Sequence, residues 1–550
     1  MKKNTAMLTS VLLVLTMFLS SCGSSAGSTG AGSASSGTQS SRPDSPPQGA
    51  PSSNAPYPNA DPSISTPPDG IHYLYQGKND YTFGESYLVI DENRTTATDS
   101  ESMLTFSLKV DTASYSNVQR YIESGSLPPG DAVRTEELVN YFRYDGDMRF
   151  GQDPFAIYTE VAPSPFHAEK LMAFIRVKAR EIDKADLPRS SLTFLIDSSG
   201  SMDSYDKLPL LKESFSLLVE TLGEGDIVSI VTYAGSSRIV LDSVAGADKR
   251  RIMDAVNSLQ AGGSTAGGEG IVTAYKLAEK NFIRNGNNRI ILATDGDFNV
   301  GVSSNAELSR LIRDKRESGV YLSILGFGMG NIRDDLMETL SKDGNGNYSY
   351  INSQRTAQKV LVEELAGNLF TVADDVKAQV EFNPDNVKSY RLIGYENRAM
   401  GNKDFTDDTK DAGDIGAGTD MIVLFEIELD HRLADSGRKY QSGSAPREPD
   451  SPFADELFEV RIRYKDPGEP ISSLVTHPVK LGNIQERGSS DFNFACAVAV
   501  FADQLRGSGY LDYTTPARIL SIAEGNLGKD NGGYRSDFLS LLNQYRRIAG

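Results

Sequence analysis

The spacing of apolar residues changes character along the chain, and each change predicts a different kind of structure. Leu104-Thr-Phe-Ser-Leu-Lys-Val110 alternates like a half-buried strand. Ser116 to Ser124 and Arg134 to Phe142 carry helical spacing on either side of a Leu127-Pro-Pro-Gly130 break. Ala156 to Val161 and Lys170 to Ala179 return to period two. From Ser190 the runs become almost continuously apolar: Leu192 to Asp197, Ile227 to Tyr233, Arg289 to Thr294 and Tyr321 to Phe327. Strands buried on both faces of a parallel sheet have this composition. Helical faces lie between and after them, among them Leu210, Leu211, Ser214, Phe215 and Leu218, then Ile271, Ala274, Tyr275 and Ala278, Leu308, Leu311 and Ile312, and Val360, Leu361, Leu365 and Leu369. Strands alternating with helices predict an α/β, doubly wound, mostly parallel domain of Rossmann-like layout over 190–370.

Beyond it strands return at Val376 to Phe382, Ser389 to Tyr395, Asp420 to Leu429 and Glu456 to Tyr464. Phe492 to Leu505, Thr515 to Ala523 and Arg535 to Ile548 read as helices. Strands on both sides of the α/β domain predict one β-sandwich with that domain inserted between its halves, because the ends of a doubly wound domain can lie close together. Asp404, Asp407, Asp408, Asp411 and Asp414 read as a solvated acidic loop, and Arg432 to Asp450 has the composition of a disordered segment.

The N-terminus adds a location. Lys2 and Lys3 precede an apolar run, Met7 to Leu19, too short to cross a bilayer about 30 Å thick. Leu19-Ser-Ser-Cys22 then resembles a bacterial lipobox, in which cleavage precedes an acylated cysteine. Gly23 to Asp69, rich in Ser, Gly, Pro and Ala, reads as a flexible stalk. The expected layout is a lipoprotein signal over 1–21, acylated Cys22 and linker over 22–69, a flanking region over 70–189, the α/β domain over 190–370, a β-rich region over 371–480 and a helical region over 481–550. Cell-envelope localisation, with a membrane contact through the lipid, follows from that reading. With Cys22 acylated, Cys496 has no intrachain partner and is expected to be an inert buried thiol.

Composition narrows the partners. Hydrophobic residues make up 39% of the 550, enough to build cores in several domains. The net charge of −19 argues against nucleic acid, which needs clustered Lys and Arg, and against lying flat on an anionic membrane. It implies solubility and little more.

Candidate chemistry gathers at the carboxyl ends of the α/β strands, where such sheets bind ligands. Asp197-Ser-Ser-Gly-Ser201 follows the first strand, Gly262-Gly-Ser-Thr265 precedes the helix of Ile271, and Thr294-Asp-Gly-Asp297 follows another strand. Three loops thus offer Asp197, Ser199, Ser201, Thr265 and Asp295, two carboxylates and three hydroxyls. An oxygen-only set suits Mg²⁺, or another hard divalent cation such as Ca²⁺ or Mn²⁺, and not zinc or copper. Two carboxylates would leave a dication about neutral, so a partner's carboxylate could complete the shell. Asp297 is a candidate outer support for Asp295. Asp343-x-Asn345-x-Asn347 lacks the glycine of a calcium loop and reads as a turn, and Asp111 to Ser114 reads as structural.

These five residues resemble the metal-ion-dependent adhesion site of von Willebrand factor type A domains, with every motif position present. In that family the serines and threonine hold the ion directly or partly through water, as do the two aspartates. Val110-Asp-Thr-Ala-Ser-Tyr-Ser-Asn-Val118, Leu127-Pro-Pro129 and Val133-Arg-Thr-Glu-Glu-Leu-Val-Asn-Tyr-Phe142 are similar to a bacterial lipoprotein family that sets this domain between characteristic flanks. The resemblance implies a metal-dependent protein-binding or adhesion module, not an enzyme. Its binding face would comprise Ser201 to Tyr205, Ala266 to Glu269 and Phe298 to Val302. The alternatives are a structural envelope protein with a stabilising ion and a metal-dependent hydrolase. Against the latter, none of His72, His167, His431 and His477 adjoins the metal loops, and no nucleophile elbow or P-loop occurs.

Overall fold

The computed structural model describes residues 84–549 apart from 168, 184–185, 265–266, 297–303, 431–451 and 511–513. The signal, Cys22, the stalk, Thr265, Asp297, His72, His431, the 298–302 loop and all of Arg432 to Asp450 lie outside the described residues.

The chain enters through β1 (Thr96–Ala97), β2 (Met103–Ser107), β3 (Phe155–Pro163) and β4 (Leu171–Ala179). Six strands follow: β5 (Ser190–Asp197), β6 (Ile227–Tyr233), β7 (Ser237–Ala245), β8 (Asn287–Thr294), β9 (Tyr321–Phe327) and β10 (Tyr348–Ile351). They form one sheet in the order β10-β9-β8-β5-β6-β7, parallel except for β7 against β6. Along β5, Leu192, Phe194 and Ile196 pack on one side with Leu211, Phe215 and Leu218 of helix Leu208–Thr221. Leu195 packs on the other with Ile271 and Tyr275 of helix Gly267–Lys280. The period-two alternation of a strand thus serves two apolar faces, which is why the run reads as continuously hydrophobic.

The chain returns through β11 (Thr371–Phe382), β12 (Val387–Ile393), β13 (Ala399–Met400), β14 (Ile415–Gly416), β15 (Asp420–Leu429), β16 (Glu456–Lys465) and β17 (Ser472–Lys480). Two antiparallel sheets result, β1-β12-β15-β4-β3 and β13-β2-β11-β16-β17. Each mixes strands from before and after the α/β domain. Phe106, Val161, Ile175, Phe382, Tyr390, Phe425 and Val460 share one core between them, so the expected sandwich with an inserted domain is what the chain builds. The insertion is closed by backbone hydrogen bonds. Ala179 N–H donates to Thr419 O at 2.8 Å, Gly418 N–H to Arg180 O at 3.0 Å and Ala417 N–H to Phe370 O at 2.8 Å. Entry and exit are therefore stitched to one short segment.

A helical layer completes the molecule. Helices Ala113–Glu123 and Thr135–Asn140 pack with Ser490–Arg506, Pro516–Glu524 and Tyr534–Ile548 around Tyr115, Phe142, Phe494, Phe501 and Phe538. Ser489 and Thr515 cap two of these helices by accepting N–H bonds three residues on. Cys496 is buried in the layer, and burial pushes its thiol pKa far up, as an inert thiol requires. The acidic stretch is not simply solvated. Asp408 accepts from Arg463 at 3.1 Å, and Asp414, largely buried, is pushed up to about 7 first by that burial and then by Asp374. Asp111 is structural as expected, accepting from Tyr348 N–H at 3.1 Å and Arg398 at 3.3 Å.

Candidate metal centre

The strand order reverses at β5, flanked by β6 on one side and β8 on the other, and both carboxylates stand at that crevice. Asp197 ends β5. Its Oδ1 accepts the Ser199 N–H at 2.8 Å, and its Oδ2 accepts the hydroxyls of Tyr233 at 3.1 Å and Thr294 at 3.3 Å. Three donors from three segments fix the carboxylate's plane. The turn that follows is held by Gly200 N–H to Gly263 O, 3.1 Å, and Gly262 N–H to Ser198 O, 2.8 Å, which brings the Gly262–Ser264 loop against the serines. The Ser199 and Ser201 hydroxyl oxygens lie 2.9 Å apart.

Asp295 follows β8 directly. It is fully buried, like Asp197, and Ser199 is buried too, whereas Ser201 is exposed, so the site opens at Ser201. Gly296 has φ +101°, and a Cβ there would stand 2.6 Å from Arg333 N and 2.7 Å from Asn331 O. Only glycine lets the Asp295 loop pack so closely on residues 331–333. Asp295 Oδ2 accepts from Lys207 Nζ at 2.9 Å, and the same ammonium donates to Asn331 Oδ1 at 3.2 Å. Of the five expected ligands the structure brings Asp197, Ser199, Ser201 and Asp295 together, while Thr265 is outside the described residues. Met202, in the expected binding face, is instead buried in the apolar core with Phe215 and Leu211, while Tyr205 stands 82% exposed.

Burial is the largest influence on Asp197, pushing its pKa up to about 6; the nearby Asp295 charge adds to it, while the Ser199 and Tyr233 donors act the other way. Burial also raises Asp295, but hydrogen bonds from Lys207, Ser201 and Asn331 together with the lysine's charge outweigh it, and its pKa ends below the ordinary value. The donor set fits a hard cation. Among the described residues, only Asp295 of the two buried carboxylates is paired with an ammonium, that of Lys207, so one negative charge remains beneath the opening at Ser201. No group of three His, Cys, Asp or Glu able to hold a metal occurs among the described residues, so the hydroxyls would have to share in ligation. Sequence reasoning missed Lys207, Tyr233, Thr294 and Asn331. Thr294 was legible in principle, adjoining Asp295, but Lys207 meets its carboxylate only through the fold.

Comparison with known proteins agrees with this layout. Residues 191–364 match the family model of the von Willebrand factor type A domain, residues 82–173 one described as von Willebrand factor, and residues 367–548 the C-terminal region of YfbK. The Escherichia coli (strain K12) protein YfbK is 44% identical over 468 residues, spanning 83% of this chain and 80% of that protein. Human inter-alpha-trypsin inhibitor heavy chain H3 is 26% identical over 192 residues, 33% of this chain and 21% of that one. Among solved structures, a von Willebrand factor type A protein from Catenulispora acidiphila covers 73% of this chain and 91% of its own, at 17% identity and a TM-score of 0.41.

Proposed function

Since the chain belongs to the YfbK family of von Willebrand factor type A domain proteins, we propose that its A domain holds Mg²⁺, or a similar hard dication, at Asp197, Ser199, Ser201, Thr265 and Asp295 and uses it to bind a protein that offers a carboxylate. The observation that carries this reading is the pairing of two fully buried carboxylates with a buried Ser199 and an exposed Ser201, their hydroxyls 2.9 Å apart, at the sheet's switch point. Bound there, the ion would supply a fixed positive charge, while the chain's own residues hold its ligands in place and leave one side to a partner. Tyr205, exposed beside the opening at Ser201, offers the aromatic contact that protein interfaces favour. His167 and His477 belong to the sandwich, where His477 pairs with Thr159 at 3.1 Å, and we assign the site no catalytic group.

Asp197→Ala removes a charge opposing the dication and should weaken Mg²⁺ by about 100-fold or more, whereas Ser199→Ala removes a neutral ligand and should cost about tenfold. Calorimetric titration of the two variants measures this, and equal Mg²⁺ affinity in wild type and Asp197→Ala would reject the metal assignment. Mg²⁺ at 100 times its Kd should stabilise the wild type by about 2.7 kcal/mol. Pull-down from envelope extract with and without chelator addresses the partner. Capture that survives the loss of metal would leave a stabilising ion and reject the binding role. We further propose export and anchoring through Cys22, for which acyl labelling of Cys22→Ser is the check: persistent labelling would refute it.

A further inference from the structure

We propose that Lys207 is a built-in cation that competes with the divalent ion for Asp295 and so keeps the metal affinity of this centre low; the inference rests on the metal-centre reading above. Lys207 occupies the N-cap position of helix Leu208–Thr221. That is a poor place for a lysine. Its side chain accepts no hydrogen bond, so it caps nothing, and its charge stands at the positive end of the helix dipole. A residue that breaks a local rule in this way is expected where function requires it.

The surroundings are built to hold it. Lys207 is buried, and its stem runs where a Cβ on Gly328 would overlap its Cγ, Cε and Cδ. Gly328 has φ +73°, so this backbone favours glycine and leaves the channel open. The loop around it is tied down. Tyr350 donates its hydroxyl to Gly328 O at 2.6 Å, and Gly330 N–H donates to Glu85 Oε1 at 2.9 Å. At the end of the channel the ammonium meets Asp295 Oδ2 at 2.9 Å and Asn331 Oδ1 at 3.2 Å. Exposed lysines in ion pairs swing free at little cost. This one is enclosed by glycine, asparagine and carboxylate, and so keeps its charge at the centre.

Two consequences follow. Asp295 has its negative charge already shared when a dication arrives, and the arriving ion meets a like charge held a single carboxylate away. Both lower affinity in a site of reduced dielectric. The same ammonium stabilises the metal-free protein, because without it Asp295 would be a buried carboxylate near Asp197 with the Lys207 cation gone from its side.

The test is Mg²⁺ titration alone, by calorimetry and by melting with Mg²⁺ or chelator, on the full chain, Lys207→Met, Lys207→Arg and Asp197→Ala. Lys207→Met keeps the stem and removes the charge. It should bind Mg²⁺ about tenfold more tightly than wild type, melt lower in chelator and gain more on adding Mg²⁺. Lys207→Arg keeps the charge and should show no gain. A Lys207→Met affinity equal to or below wild type, with Asp197→Ala still weaker, would overturn the proposal while leaving the metal centre standing, as would an equal gain in Lys207→Arg. Absence of Mg²⁺ binding in all four proteins would overturn the metal reading and this proposal with it.

Discussion

Arg134→Met should lower the stability of the protein by about 3–5 kcal/mol, because it strips the cation from a buried cluster and leaves the carboxylates behind. Arg134 is 1% exposed. Its Nε lies 2.6 Å from Glu137 Oε1, its Nη1 2.6 Å from Asp334 Oδ2 and 3.6 Å from Glu338 Oε2. Arg398 faces the same group, 3.7 Å from Glu338 and 3.3 Å from Asp111. The cluster joins the parts of the molecule: Arg134 and Glu137 belong to the helical layer, Asp334 and Glu338 to the A-domain helix Asp334–Asp343, and Arg398 to the connection leading into β13. The loss should depend on pH in a defined sense. Burial pushes Glu137 up to about 7 from an ordinary 4.5 and raises Asp334 as well, although Arg134 opposes both shifts. A carboxyl whose pKa is higher in the folded state binds its proton more tightly there, so its contribution is favourable at low pH and is lost as pH rises through about 7. Without Arg134 these carboxyls rise further. The deficit of the variant should therefore be greatest at pH 8 and shrink towards pH 5.5. Melting curves of both proteins across that range check it, and a deficit independent of pH would show that the carboxylates are not its cause.

Phe538→Ala should cost about 3–5 kcal/mol by opening a cavity at the centre of the helical layer. The ring is fully buried, with centroids 5.4 Å from Phe142, 5.7 Å from Phe494 and 5.3 Å from Phe501. Three edge-to-face contacts are lost at once, and aromatic pairs contribute beyond their buried area. Since Phe142 comes from the N-terminal flank and the other rings from the C-terminal helices, the damage should spread to both ends of the chain. The loops proposed to hold the metal lie on the A-domain sheet, so Mg²⁺ affinity should stay at the wild-type value. Amide exchange would read this directly. Faster exchange in Ala113–Glu123 and Ser490–Arg506, with β5 and β8 protected, is expected; uniform loss of protection would mean that the layers do not come apart separately.

The doubly wound core could be read from the chain because β5, β6, β8 and β9 are buried on both faces and leave no polar alternation. Edge strands escaped for the opposite reason. In β7 only Leu241 and Val244 are buried and in β17 only Val479, whereas β10, buried throughout, is too short at four residues to show a period. The β-sandwich was legible from the position of its strands on both sides of the insertion, though not its pairing order. Thr-Glu-Glu at 135–137 looks like the solvated first turn of a helix, yet all three are buried: Thr135 accepts from Arg506 of the C-terminal helices at 3.2 Å, Glu136 lies against Gly394, and Glu137 pairs with Arg134 at 2.6 Å. At the site, the four described candidate residues stood in motifs, each within a short local segment. Lys207 carried no such mark, since its partner lies in a loop that only the fold brings near.

The stitched ends of the insertion bear on the order in which the molecule folds. β4 must pair with β15, Lys178 beside Asp420, and β2 with β11, across the whole intervening chain. While that chain is unfolded, each pairing closes a long loop, at an entropic cost that grows with loop length, and topologies of this kind fold slowly. Once the A domain has collapsed on its own apolar strands, Arg180 and Phe370 are delivered to the same few residues, Ala417 and Gly418, and the loop becomes short. The A domain is therefore expected to act as an internal staple that forms first. In refolding experiments the sandwich should appear only after it, and a slow-folding A domain would leave β4 and β11 with unpaired edges, the state most exposed to aggregation.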